Sequence, residues 1–146
     1  MRMVDVGDKP KTERIAIATG LVRMSAQARN AIRSNSVSKG NVIEAARLAG
    51  IMATKRTPDL IPLCHPIAIS AVEMHVATVK AGVEIRATVK TVDRTGVEME
   101  ALTAVSAAAL TVYDMLKSTD RGMVIEAVQL EAKQGGRSGE WKRKRT

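Results

Sequence analysis

A chain of 146 residues with 45% hydrophobic content fits one domain with an ordinary core. A single Cys excludes an internal disulfide framework and a cysteine-rich zinc site, and only two aromatic rings, Tyr113 and Trp141, leave single-stranded nucleic acid without stacking platforms. The formal net charge is +8, with four of those charges in the terminal run Lys142, Arg143, Lys144 and Arg145, so the basic body points to an anionic partner such as a phosphorylated small molecule.

Residues 1–12 carry Gly7, Pro10 and several charges and read as an extended arm. They lack the apolar core of a secretory signal, and no apolar run in the chain reaches membrane-spanning length. With the lone Cys, the expected setting is the cytoplasm. Residues 13–24 hold Ile15, Ile17, Leu21 and Val22 and predict a first strand with an irregularity at Gly20. Ser25 is placed to cap a short helix, SAQARNAIRS. Residues 35–40 are polar and read as a loop. Asn41 is placed to cap a second helix, in which Val42, Ala45, Ala46, Ala49 and Ala53 recur at helical spacing.

Pro58 should stop that helix. The following PDLIPLCHP has three prolines in nine residues, so a regular helix is not expected and a central strand is disfavoured. Residues 67–79 and 83–92 alternate around an Ala81-Gly82 turn and predict a hairpin. Residues 97–118 carry the longest helical pattern, and residues 124–133 predict a last strand. A glycine-rich exit leads to a flexible basic tail over residues 135–146. The resulting plan is a βαββαβ unit with one additional helix. It is an α+β, ferredoxin-like fold with an antiparallel sheet and helices packed on one face, spanning residues 13–134 as one domain.

Stepping about 100° per residue along the longest helix puts Val97, Ala101, Leu102, Val105, Ala108, Ala109, Val112, Met115 and Leu116 on one arc, suited to the sheet. The opposite arc holds Glu100, Thr103, Ser106, Ala107, Leu110, Thr111, Asp114 and Lys117. A solvated face would be laced with long charged side chains. Small residues there predict a second subunit. Asp114 and Lys117 are three apart and therefore neighbours. Their spacing is that of a surface ion pair of ~0.3–0.5 kcal/mol, or, if the pair is shielded, of a Lys that protonates substrate beside an Asp that sets its protonation state.

Lys55 and Arg56 end the second helix. They either complement its dipole or grip phosphate. Cys64-His65-Pro66 lies in the stiff loop, where prolines preset the direction of a histidine that is either structural or an acid–base group. His75 falls in a strand pattern and reads as structural or exposed. Lys39-Gly40 precedes a helix start and can bind an anion, although no eight-residue phosphate-loop pattern is present.

The stretches MVDVGDKPKTERIA, KGNVIEAARLAGIMATKRTPDLIPLCHPI, TGVEMEALTAVSAAALTVYDMLKS and LEAKQGGRSG together resemble the molybdenum cofactor biosynthesis protein C family. The likeness runs from Met3 to about Trp141 and leaves the terminal KRKR run outside. It implies a lyase that converts a dihydro-GTP, already cyclised between ribose and base by a radical SAM enzyme, into cyclic pyranopterin monophosphate with release of pyrophosphate, a step of molybdopterin synthesis. It implies a homohexamer, a trimer of dimers, with the site at a subunit interface. The family's catalytic Asp and Lys fall on Asp114 and Lys117. Its substrate-binding positions fall on Lys39, Lys55, Leu63, Cys64, His65, Glu98, Met99, Glu100 and Lys133, with Asp5, Lys9 and Arg14 from the arm and the first strand.

The residues fit that chemistry. A triphosphate requires several cations, and departing pyrophosphate builds negative charge that preset cations stabilise. Ring opening and closure require proton transfer. No resident cofactor or metal is expected, although Mg²⁺ can accompany the triphosphate. A basic RNA-binding module would also explain the charge, but it leaves the proline-fixed His and the two-faced helix without a purpose. A structural subunit without catalysis is the third alternative.

Overall fold

The computed structural model describes residues 1–145. The chain runs β1 (Thr12–Arg23), α1 (Ala26–Arg33), α2 (Val42–Thr54), α3 (Thr57–Leu60), β2 (Ile69–Val79), β3 (Gly82–Asp93), α4 (Glu98–Leu116), β4 (Val124–Gln134) and β5 (Trp141–Lys142). All strand pairs are antiparallel, in the order β2-β3-β1-β4-β5. The four long strands have the order of a ferredoxin-like sheet, with helices packed against it, as the βαββαβ plan requires.

Alternation along the strands fixes which face is covered. Ala16, Ala18 and Val22 of β1 and Val83, Ile85, Ala87 and Val89 of β3 are fully buried. Glu84, Arg86 and Lys90 on the other face are exposed. The covering layer is chiefly α4, whose Ala101, Ala104, Val105, Ala108, Ala109, Val112 and Leu116 are fully buried. Small side chains let α4 approach closely. A Cβ added at Gly20 of β1 would lie 2.6 Å from Val105 Cγ1, so glycine at that point is a packing requirement. β1 continues through Gly20, and the irregularity falls on its partner, where β4 shifts register twice and Ala127 takes φ 54°. Contrary to the expectation that no apolar run reaches membrane-spanning length, α4 is the one described helix long and apolar enough to cross a membrane, and 56% of that stretch is buried inside the fold.

The helix starts follow the capping residues. Ser25 accepts from the Ala28 N–H at 3.2 Å, and Asn41 accepts from the Glu44 N–H at 3.0 Å. α2 runs antiparallel beside α4: Lys39, just before α2, reaches Asp114 near the end of α4, whereas Gly50 lies against Ala104 near its start.

Three local expectations are corrected. The proline-rich stretch does hold a helical turn, α3. Pro58 sits at its beginning, where no N–H is needed, and the buried Thr57 hydroxyl donates to Ala53 O at 3.0 Å. The terminal segment is not wholly a solvated tail, because Trp141–Lys142 pairs with Ala132 and Lys133 of β4 and the Arg143 guanidinium stacks over the Trp141 ring at 5.8 Å. Glu100, assigned by helical phase to the outer arc of α4, is buried with 1% exposure. Cys64, in the segment between α3 and β2, lies 3.7 Å from its Oε2.

Candidate functional site

The polar residues singled out by sequence gather at two places, one at each end of α4. At the C-terminal end, Asp114 sits between two ammonium groups. Lys39 Nζ donates to Asp114 Oδ2 at 2.9 Å and to the Asp114 carbonyl at 3.2 Å, and Lys117 Nζ lies 3.1 Å from Oδ1. The Lys117 contact follows from helical spacing. The Lys39 contact joins positions 75 apart in sequence and arises because α2 and α4 are antiparallel neighbours. The carboxyl is held below its ordinary range, first by the hydrogen bond from Lys39 and then by that from Lys117. All three side chains are about half exposed. In open solvent such a cluster contributes little, and covering it would strengthen every interaction within it.

At the N-terminal end, Lys133 from β4 approaches Glu98 at 3.9 Å, both partly shielded. Next to them Glu100 points inward. Its Oε2 accepts from the Cys64 thiol at 3.7 Å, and its Oε1 has no hydrogen-bond partner among the described residues. Burial pushes the Glu100 carboxyl up, and burial likewise pushes the Cys64 thiol up to about 11, with the neighbouring Glu100 adding to it. His65 follows Cys64 and is half-buried, while Leu63 and Met99 are exposed beside this end of the helix. Lys55 closes α2 at the same end and is exposed. Arg56, next to it, pairs with Asp59 at 3.5 Å.

The remaining expected positions are not drawn into either cluster. Arg14 is buried, and its guanidinium donates to the carbonyls of Asp93 and Arg94 at 3.1 and 3.3 Å. It therefore ties the start of β1 to the loop before α4. Asp5 accepts from the Gly7 N–H at 2.8 Å within the arm, and Lys9 is half-buried there. His75 is exposed on β2, opposite Arg86. Sequence reasoning missed the Cys64–Glu100 contact. The only signal for it is that an acid on a helix otherwise lined with Ala meets a lone Cys in a stiff apolar loop.

The separation of the clusters decides what one chain can do. Asp114 lies 16 residues beyond Glu98 on the same helix, which at 1.5 Å per residue is about 24 Å along its axis. Acid–base transfer needs groups within hydrogen-bond reach of the same atoms. One small substrate cannot meet both ends of α4 within a single chain. Among the described residues no group of three or more His, Cys, Asp or Glu is placed to hold a metal ion.

Known proteins provide the context for this arrangement. The sequence pattern of the MoaC family matches residues 3–136, a span that includes every position named in the two clusters. A cyclic pyranopterin monophosphate synthase of Novosphingobium aromaticivorans is 60% identical over 141 residues, covering 97% of this chain and 90% of that protein. Proteins of the same name from Thermomicrobium roseum and Streptomyces griseus are 56% identical over 144 residues and 57% identical over 142, covering 97% of this chain in each case and 87% and 80% of those proteins. With a family pattern spanning nearly its whole length and relatives this similar, the chain belongs to the MoaC family.

Proposed function

We propose that this chain is a lyase of molybdenum cofactor biosynthesis. It converts a dihydro-GTP cyclised between ribose and base into cyclic pyranopterin monophosphate and releases pyrophosphate. The carrying observation is the division of one donor set between the two ends of a 19-residue helix. The two ends lie about 24 Å apart along α4, too far to meet one small substrate within a chain, so the complete site is composite: Lys39, Asp114 and Lys117 of one subunit face Lys55, His65, Glu98 and Lys133 of another. The assembly is a homohexamer built as a trimer of dimers, and it works in the cytoplasm downstream of a radical SAM GTP cyclase.

In that crevice the lysines offset the charge of the triphosphate. A sugar-derived oxygen forms a new bond to the α-phosphorus as the bond from that phosphorus to the pyrophosphate oxygen breaks. The electron pair leaves with pyrophosphate, whose charge the preset ammonium groups stabilise. Lys117, paired with Asp114 at 3.1 Å, and His65 move protons during ring opening and closure. Any Mg²⁺ arrives as the counter-ion of the triphosphate. The arm, through Asp5 and Lys9, closes over the bound nucleotide, and Arg14 supports the site from the base of β1.

The test is turnover of Lys117→Ala with the cyclised intermediate. Near-complete loss of product with the assembly size unchanged supports the reading. Normal turnover overturns the assignment of Lys117. The competing RNA-binding reading separates in thermal melts: GTP analogues raise the melting temperature of a nucleotide enzyme, and random RNA does so for an RNA module.

A further inference from the structure

The last strand brings an aromatic ring back to the N-terminal end of α4. After β4 the chain turns at Gly135 and Gly136, both in the left-handed region at φ 93° and 74°. A Cβ at Gly135 would strike the Glu13 carbonyl, and one at Gly136 would strike the Arg14 guanidinium, so the turn packs directly on the start of β1. The Gly139 N–H donates to Gly136 O at 3.2 Å, and β5 returns along β4 with Trp141 opposite Lys133. The Arg143 N–H donates to Glu131 O at 2.8 Å and holds the far end of this short strand. Directly opposite residues of an antiparallel pair present their side chains on one face, with Cβ atoms about 5 Å apart. Lys133 turns toward α4, where it approaches Glu98 at 3.9 Å. Trp141 therefore flanks the same cluster.

The fold does not use up this ring. Trp141 is the only Trp in the chain, yet it is 41% exposed and stands outside the core. The Arg143 guanidinium covers one face of the indole at 5.8 Å, which leaves the opposite face to a planar ligand. Trp141 also lies beyond residue 136, where the family pattern ends.

We propose that Trp141 is a stacking platform for the base of the nucleotide, standing beside Lys133 in the crevice. This rests on the proposed function above, in which the substrate derives from GTP and keeps a planar six-membered ring. The face of an aromatic ring is electronegative, so it suits another ring and not a phosphate oxygen. Glu98 beside it accepts from ring N–H groups and repels phosphate in the same way. One aromatic ring is too few for a strand of nucleic acid and enough for a single base.

The experiment uses the full-length chain. With a single Trp, intrinsic tryptophan fluorescence reports position 141 alone. GTP, which carries both base and triphosphate, should quench that emission. Inorganic tripolyphosphate, which carries the charge without the ring, should leave it unchanged. In turnover of the cyclised intermediate, Trp141→Leu should raise KM about 10-fold with kcat nearly unchanged, and Trp141→Phe should recover most of that loss, because it keeps a ring. A strand that merely needed an apolar anchor would show no difference between Leu and Phe. Emission unchanged by GTP, or quenched equally by tripolyphosphate, overturns the stacking, whether or not Trp141→Leu folds. A native KM in Trp141→Leu overturns it as well. A native chain that is quenched by GTP alone but does not turn over the cyclised intermediate would instead remove the function on which the proposal rests, and leave the base contact standing.

Discussion

Asp114 and Glu100 stand near opposite ends of α4, and their environments push their carboxyl groups in opposite directions. Asp114 is held ionised by Lys39 and Lys117. Replacing Lys39 with Met removes the larger of these influences, so the Asp114 titration, followed by carboxyl NMR, should move up toward the ordinary range. The stabilising contribution of this pair is present above the ordinary Asp value and is lost as pH falls through the depressed one. Glu100 has the reverse sign. Its folded-state value is raised above the ordinary 4.5, so its contribution is fully present in acid and declines as pH rises through the raised value. Glu100→Gln has no proton to lose. Melting curves from acid to neutral pH should therefore show the native chain losing stability relative to the Gln variant as pH rises above about 4.5. A parallel offset at every pH would mean that the buried carboxyl titrates normally.

Packing of the elements depends on close approach between small residues. Alanine at position 20 would drive a Cβ into Val105 and should lower stability by about 1–3 kcal/mol in denaturant melts, as overpacking does. Asn41→Ala removes the bond to the Glu44 N–H and should lower stability by about 1 kcal/mol. At this scale the sequence was largely legible. Period-2 and period-3.6 patterns with Ser25 and Asn41 as caps located every long strand and helix within one or two residues. The misses have physical reasons. α3 hides because proline at a helix start fits the geometry that it breaks elsewhere. β5 hides because two residues are too short to show alternation, and its pairing comes from the edge of β4. Glu100 was misplaced because helical phase says which way a residue points but not what a distant loop places against it.

For the whole molecule, the outer side of the α2–α4 layer carries the proposal of assembly. Leu48, Met52 and Leu110 are 58%, 56% and 61% exposed there, beside half-buried Thr103 and Ala107. Thr103→Lys or Ala107→Glu would place a charge in a dry contact and should split the oligomer in size-exclusion or light-scattering measurements. An intact assembly from either variant would refute the interface role of that face. The site was less legible than the fold because contacts such as Lys39–Asp114 and Glu98–Lys133 depend on which elements are neighbours, and no spacing rule within one element reveals them. The resemblance to a family supplied the candidates, and the geometry separated them into two groups.

Mixing two inactive variants tests the division of the site between subunits most directly. Lys117→Ala disables one end of α4 and His65→Ala the other, and each alone should turn over almost no cyclised intermediate. If every site draws one end from each of two symmetry-related chains, dissociating and reassembling an equal mixture restores some sites with both ends intact. Random pairing makes half of the dimers mixed, with one intact site in each, so activity should return to about a quarter of the native level. A mixture confirmed to have exchanged subunits that stays as inactive as its parents would contradict the composite site.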